Sequence, residues 1–177
     1  MNNERYTLPA IALHWGHAVV IVWLLWLGLT MVDLPKGAER SAAYVLHKSL
    51  GLLALLLIVA RIAWRRGHPA PRAISGGWEA RLATATHHGL YALLVMAPLA
   101  GYLASAFTSY AIKFFGFELP RIAAPNESLN AIFKLLHEGF VWGIAALIAL
   151  HVAGALKHAI KRDGTLQRML PGGLFKN

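Results

Sequence analysis

The chain has 177 residues and is 57% hydrophobic but only 14% charged, and its mean hydropathy of +0.51 excludes an ordinary soluble domain. A formal net charge of +9 would suggest a nucleic-acid partner in a soluble protein; here it accompanies long uncharged stretches and reads as membrane topology. The absence of cysteine excludes a disulfide framework, a thiolate zinc site, an iron–sulfur cluster and covalent c-type haem attachment.

Four stretches nearly or wholly free of Asp, Glu, Lys and Arg reach the roughly 20 residues that cross a bilayer. The first predicts a helix over about 8–32. It is much longer than the roughly 7–15-residue apolar region of a signal peptide, and its only preceding basic residue, Arg5, is balanced by Glu4. His14 and His17 lie one turn apart in its first half. The second helix is predicted over 41–64, with His47 near its start and Lys48 and Arg61 as its only charges. The third, over 82–110, carries His87 and His88 near its start, and Pro98 with Gly101 predicts a bend. Between 109 and 126 runs the longest loop on that side, with FFGFELP at its centre. Its apolar content suits a membrane-surface loop, a lid over a site at that end, or a dimer contact. The fourth helix is predicted over 129–160 and holds His137 and His151.

No linker, repeat or low-complexity tract divides the chain, so residues 1–177 are expected to form one domain, an all-α bundle of four transmembrane helices. The amino end, the segment from Arg61 to Arg81 and the tail from Lys157 hold eleven of the seventeen Lys and Arg. The positive-inside rule therefore predicts both termini in the cytoplasm. The six tryptophans, Trp15, Trp23, Trp26, Trp64, Trp78 and Trp142, suit interfacial anchoring. Gly28, Gly51, Gly143 and Gly154 suit close approach of helices or of a flat porphyrin.

His137 and His151 stand fourteen residues apart, roughly four turns less 40°, so one helix face presents two imidazoles at depths about 21 Å apart. Ionisable groups at membrane depth are costly and face the bundle interior for a purpose, and imidazole is the commonest metal ligand. Two haem irons on one helix are the natural reading. Each needs a second imidazole at matching depth on another helix. Topology puts His47 and His137 near the outer surface and His14, His17, His87 and His151 on the cytoplasmic side, so the outer pair is His47 with His137. The inner partner of His151 is His14, with His87 and His17 as alternatives. A haem-free four-helix transporter or metal-binding protein is a third class of reading, disfavoured because one metal site would gather its histidines at one depth. The acids are scattered, without a nucleophile–base or paired-carboxylate arrangement, and hydrolytic chemistry has no support.

LHW at His14, HKSLG from His47, THHGLY around His87, LHE at His137, LHVAGALKH from His151 and the closing RDGTLQRMLP together resemble the bacterial cytochrome b561 family over almost the whole chain. That family comprises small four-helix, dihaem, quinone-linked proteins of the inner membrane. The resemblance implies ligands on helices one, two and four, hence His14, His47, His137 and His151, and it selects His14 over His87. It also implies two haem b and one-electron transfer between a reductant and the quinone pool, and a superoxide:ubiquinone oxidoreductase is among its members. The alternative within this class is a haem-bearing anchor serving a partner dehydrogenase or hydrogenase, which the compact loops disfavour. Lys48 and Arg61 are candidates to pair with haem propionates, as is His158, which could also approach a quinone headgroup; His87 is a further group near the cofactor. Lipids and quinone are the expected partners, with a homodimer compatible with the same pattern and no nucleic acid.

Overall fold

The computed structural model describes residues 5–71 and 76–170. Four long helices, α1 (Leu8–Thr30), α2 (Ala38–Gly67), α3 (Gly77–Ala106) and α4 (Glu127–Lys161), make a bundle whose members are each long and apolar enough to span a membrane. A hairpin of two short antiparallel strands, β1 (Lys113–Phe114) and β2 (Phe117–Glu118), joins α3 to α4, and a 3₁₀ turn over Leu166–Met169 follows α4.

Local chemistry sets the boundaries. Pro9 lies in the first turn of α1, where its missing N–H costs nothing. Asn126 caps α4, its side chain accepting from the Leu129 N–H at 3.0 Å. α2 runs beyond the predicted 41–64 at both ends because Glu39, Arg65 and Arg66 stand in its first and last turns; a charge-based boundary clips a helix where it enters headgroups or water. α3 likewise begins at Gly77, before Glu79, but ends at Ala106, short of the predicted 110. Ser105 and Thr108 close its last turn, the Thr108 hydroxyl donating to the Ser105 carbonyl at 2.7 Å. Absence of charge thus marks compatibility with lipid, which a re-entering turn shares with a helix.

Burial is inverted relative to a soluble domain, because the solvent is hydrocarbon. Val19, Val22 and Leu29 on α1, Leu56 and Val59 on α2 and Leu135 and Leu150 on α4 are exposed. The protein core is small, centred on Ile58, Leu94, Ala97 and Ile144 where α2, α3 and α4 meet. α3 and α4 form the most extensive contact, and small residues let them close. A methyl at Gly89 would stand 2.8 Å from Leu147, and one at Gly143 2.9 Å from Leu93. α1 packs on α2 and α2 on α3. α4 makes no extended backbone contact with α1 or α2 and meets them through side chains, Ile144 joining Ile58 of α2 in the core.

The two ends of the chain meet at one end of the bundle. Arg5 donates to the carbonyls of Gln167 and Leu170, and the Trp15 indole donates to the Met169 carbonyl at 2.8 Å. At the same end Trp64 donates to Thr7 and stacks on His68, which is exposed.

Candidate cofactor site

Between α4 and the α1–α2 pair, imidazoles face one another at two levels. Toward the hairpin end, His47 of α2 and His137 of α4 face one another with ring centroids 6.2 Å apart. Toward the termini, His14 of α1 and His151 of α4 stand 6.1 Å apart, while His87 of α3 approaches His151 to 5.3 Å. Both ring pairs are nearly perpendicular, at 85° and 71°.

Neighbouring helices shape the hairpin-side pair. His137 donates through Nδ1 to the Ala97 carbonyl at 2.8 Å. In the neutral ring that bond leaves Nε2 with a lone pair, the tautomer a metal ligand needs. Gly101, one turn beyond Ala97 on α3, makes the room: a methyl there would lie 2.9 Å from His137 Nδ1. Gly28 on α1 does the same for His47, where a methyl would lie 3.2 Å from the ring. Nδ1 of His47 is buried and has no hydrogen-bond partner. Gly51 and Gly154 face open space. Glycines so placed leave width beside the imidazoles that any side chain would take.

Arg61 organises the terminal side. Its guanidinium lies 3.2 Å from His14 Nδ1, 3.4 Å from His17 Nδ1 and 5.4 Å from the Tyr91 ring centre; donating to His14 Nδ1 leaves that ring's proton on Nε2, so metal binding through Nε2 would require Arg61 to turn away. No carboxylate pairs with it among the described residues. A half-buried cation inside a membrane bundle without an anion is costly and is suited to an anionic group supplied from outside the chain. His17 is 1% exposed, and its Nε2 has no partner. Lys48 is half-buried beside His47 and also lacks a carboxylate among the described residues.

His158 lies beyond these layers, at the last turn of α4, where its Nδ1 donates to Asp163. That bond holds the Asp163 carboxyl down to about 2, and the Thr165 N–H, donating to the same carboxylate, acts in the same direction. His88 is exposed. Among the described residues no three His, Asp or Glu side chains gather as a metal-ion cage. The arrangement consists of facing pairs.

Sequence reasoning expected these histidine pairs, but it read Gly101 only as part of a bend at Pro98. The signal it lacked was the depth match between Gly101 and His137, which antiparallel packing of α3 and α4 creates. Asp163 was hidden for a simpler reason: five residues separate it from His158, and only the left-handed turn at Arg162 folds it back.

Comparison with known proteins gives the family. The family model for prokaryotic cytochrome b561 matches residues 5–172. Cytochrome b561 homolog 2 of Escherichia coli (strain K12) is 36% identical over 172 residues, spanning 94% of this chain and 92% of the relative. Cytochrome b561 homolog 1 of the same organism is 28% identical over 181 residues, spanning 95% and 98%. A protein of Yersinia pestis named probable superoxide oxidase CybB is 25% identical over 177 residues, spanning 96% and 97%. A match across nearly the whole chain, on four membrane helices with facing imidazoles, makes this protein a member of the prokaryotic cytochrome b561 family, a membrane cytochrome b of electron transfer.

Proposed function

We propose that the protein carries single electrons across the bacterial inner membrane through two b haems, one held by His47 and His137 and the other by His14 and His151. The observation that carries this reading is the repeated ring spacing between α4 and the α1–α2 pair, 6.2 Å and 6.1 Å. Two imidazoles on opposite sides of one metal, each nitrogen about 2.0–2.1 Å from it and about 1.1 Å from its ring centre, put their centroids about 6.3 Å apart. His87 and His151 at 5.3 Å are about 1 Å too close for that, which supports His14 as the partner of His151. The tautomer of His137 and the room beside Gly28, Gly51, Gly101 and Gly154 fit a flat macrocycle between the helices.

Bound haem supplies a one-electron centre, and two imidazole ligands leave its iron no open position, which suits electron transfer over oxygen activation. The chain's own residues orient and neutralise. Ala97 fixes the ring of His137. Arg61, and Lys48 at the other level, offer cations to propionates. Asp163 holds His158 by Nδ1, and only the charged ring would have an Nε2–H to donate to a propionate or a quinone carbonyl. The electron enters from a small reductant on the hairpin side, and the name of the Yersinia relative supports superoxide. It leaves to the quinone pool.

Pyridine haemochrome analysis of the purified protein, made with ample haem, tests the cofactor: two haem b per chain are expected, and none would overturn the reading. His47→Ala and His137→Ala should each leave one haem, the same one. Stopped-flow mixing with superoxide should reduce the haems; failure would remove the donor and leave the cytochrome.

A further inference from the structure

Ser49 is 1% exposed within a membrane-spanning helix, and the residues it serves lie far away in sequence. Its hydroxyl proton is shared between the carbonyls of Val45, at 2.9 Å, and Lys113, at 3.2 Å, and its oxygen accepts from the Phe115 N–H at 2.9 Å. One side chain thus satisfies both a donor and an acceptor of the hairpin. Phe115 and Gly116 turn it with φ of +46° and +96°, values that suit a two-residue hairpin but strain a phenylalanine. The bond from Ser49 falls on that strained residue.

The depth of this contact is informative. Ala106 ends α3 five residues, about 7.5 Å, beyond Gly101, which adjoins His137. Ser49 lies about 3 Å further along α2 than His47, which faces His137. To reach Ser49 the chain must turn back from the end of α3 by roughly 10 Å, to the level of the hairpin-side imidazoles. Two residues also rotate the helix by about 200°, so Ser49 faces away from His47 and the hairpin does not cover the ring pair. Non-helical backbone at membrane depth persists only where its polar groups are satisfied. Here strand pairing, the Leu119 N–H donating to the Ile112 carbonyl at 2.8 Å, and Ser49 supply the partners.

The side chains are arranged the opposite way. Phe115 is 50% exposed and Phe117 77%, while Ile112 is buried; Lys113 and Glu118, paired across the strands, are also exposed and keep that end of the hairpin at the headgroups. Leu46, Leu56 and Val59 continue an apolar exposed surface along α2, the surface that meets lipid. We propose that the hairpin of residues 113–118 is re-entrant: Ser49 satisfies its backbone behind α2, and Phe115 and Phe117 dip into the bilayer as a lipid-facing anchor. Its partner is the acyl-chain and glycerol zone of the membrane.

The chain has no cysteine, so single nitroxide labels can be placed without background. In phosphatidylcholine–phosphatidylglycerol vesicles, a label at Phe117→Cys should relax more with oxygen than with a water-soluble nickel chelate. It should resemble a label at Val59→Cys in the lipid-facing middle of α2 and differ from one at Lys36→Cys in the exposed α1–α2 connection. Nickel-dominated relaxation at 117, as at 36, would overturn the anchor. So would protection from both reagents, which would mean a protein contact such as a second copy. Adding Ser49→Ala should move the label at 117 toward the nickel side and leave the label at 59 unchanged. An unmoved label at 117 would overturn the role of Ser49.

Discussion

At the scale of single residues, the hairpin-side pair shows how a helix neighbour sets an imidazole. His137 is oriented by a carbonyl of α3 and admitted by the missing side chain at Gly101. Replacing a glycine by alanine inside a helix ordinarily gains about 0.5–1 kcal/mol of backbone stability. Gly101→Ala should instead lower the haem content toward one per chain, because its methyl must push the imidazole off the Ala97 carbonyl. Gly28→Ala, at 3.2 Å from His47, should do so less. Haemochrome quantitation of the two variants checks both, and full occupancy in Gly101→Ala would count against the spacing argument. The depths of His47, His137 and His151 were legible in the sequence because depth is counted directly along a helix, while the choice of His14 over His87 came from the family resemblance. Their supports were not. Ala97 acts through its backbone, Gly101 through an absent atom and Ser49 through a hairpin whose return path no local pattern encodes.

Among elements, the end of α4 carries the clearest electrostatic device. Asp163, outside the membrane segment, is held at about 2 against an ordinary value of 3.8, first by the hydrogen bond from His158. A carboxyl lowered on folding contributes stability that is complete above its unfolded value and is lost as pH falls through its folded value. The turn after α4 should therefore hold from neutral pH to about pH 4 and loosen between about 4 and 2. Amide exchange of Thr165, whose N–H donates to Asp163 at 3.0 Å, reports it. In Asp163→Asn that acid-dependent step should disappear. The four helices themselves were readable from uncharged length alone. The end of α3 was not, since residues after Ala106 are as apolar as those before, and only Ser105, Thr108 and the hairpin tether distinguish them.

At the scale of the whole molecule, topology and reading of function meet. The ends of the chain are joined at one end of the bundle through Arg5 and Trp15, the end that collects most of the Lys and Arg. The proposed direction of electron flow requires that end to be cytoplasmic. A carboxyl-terminal fluorescent fusion should light up in cells, whereas an alkaline phosphatase fusion at the same point should stay inactive; the reverse pattern would invert the proposed path. The sequence carried this asymmetry openly because insertion acts on charge in loops, before any tertiary contact exists.

The lack of extended contact between α4 and the α1–α2 pair has one more consequence. Outside the small core around Ile58 and Ile144, the polypeptide supplies little that holds α4 against α1 and α2. Under the proposed function, haem held between the facing histidines would add to what keeps these helices together. Iron and porphyrin supply would then govern how long the protein survives in the membrane, as well as how fast it conducts.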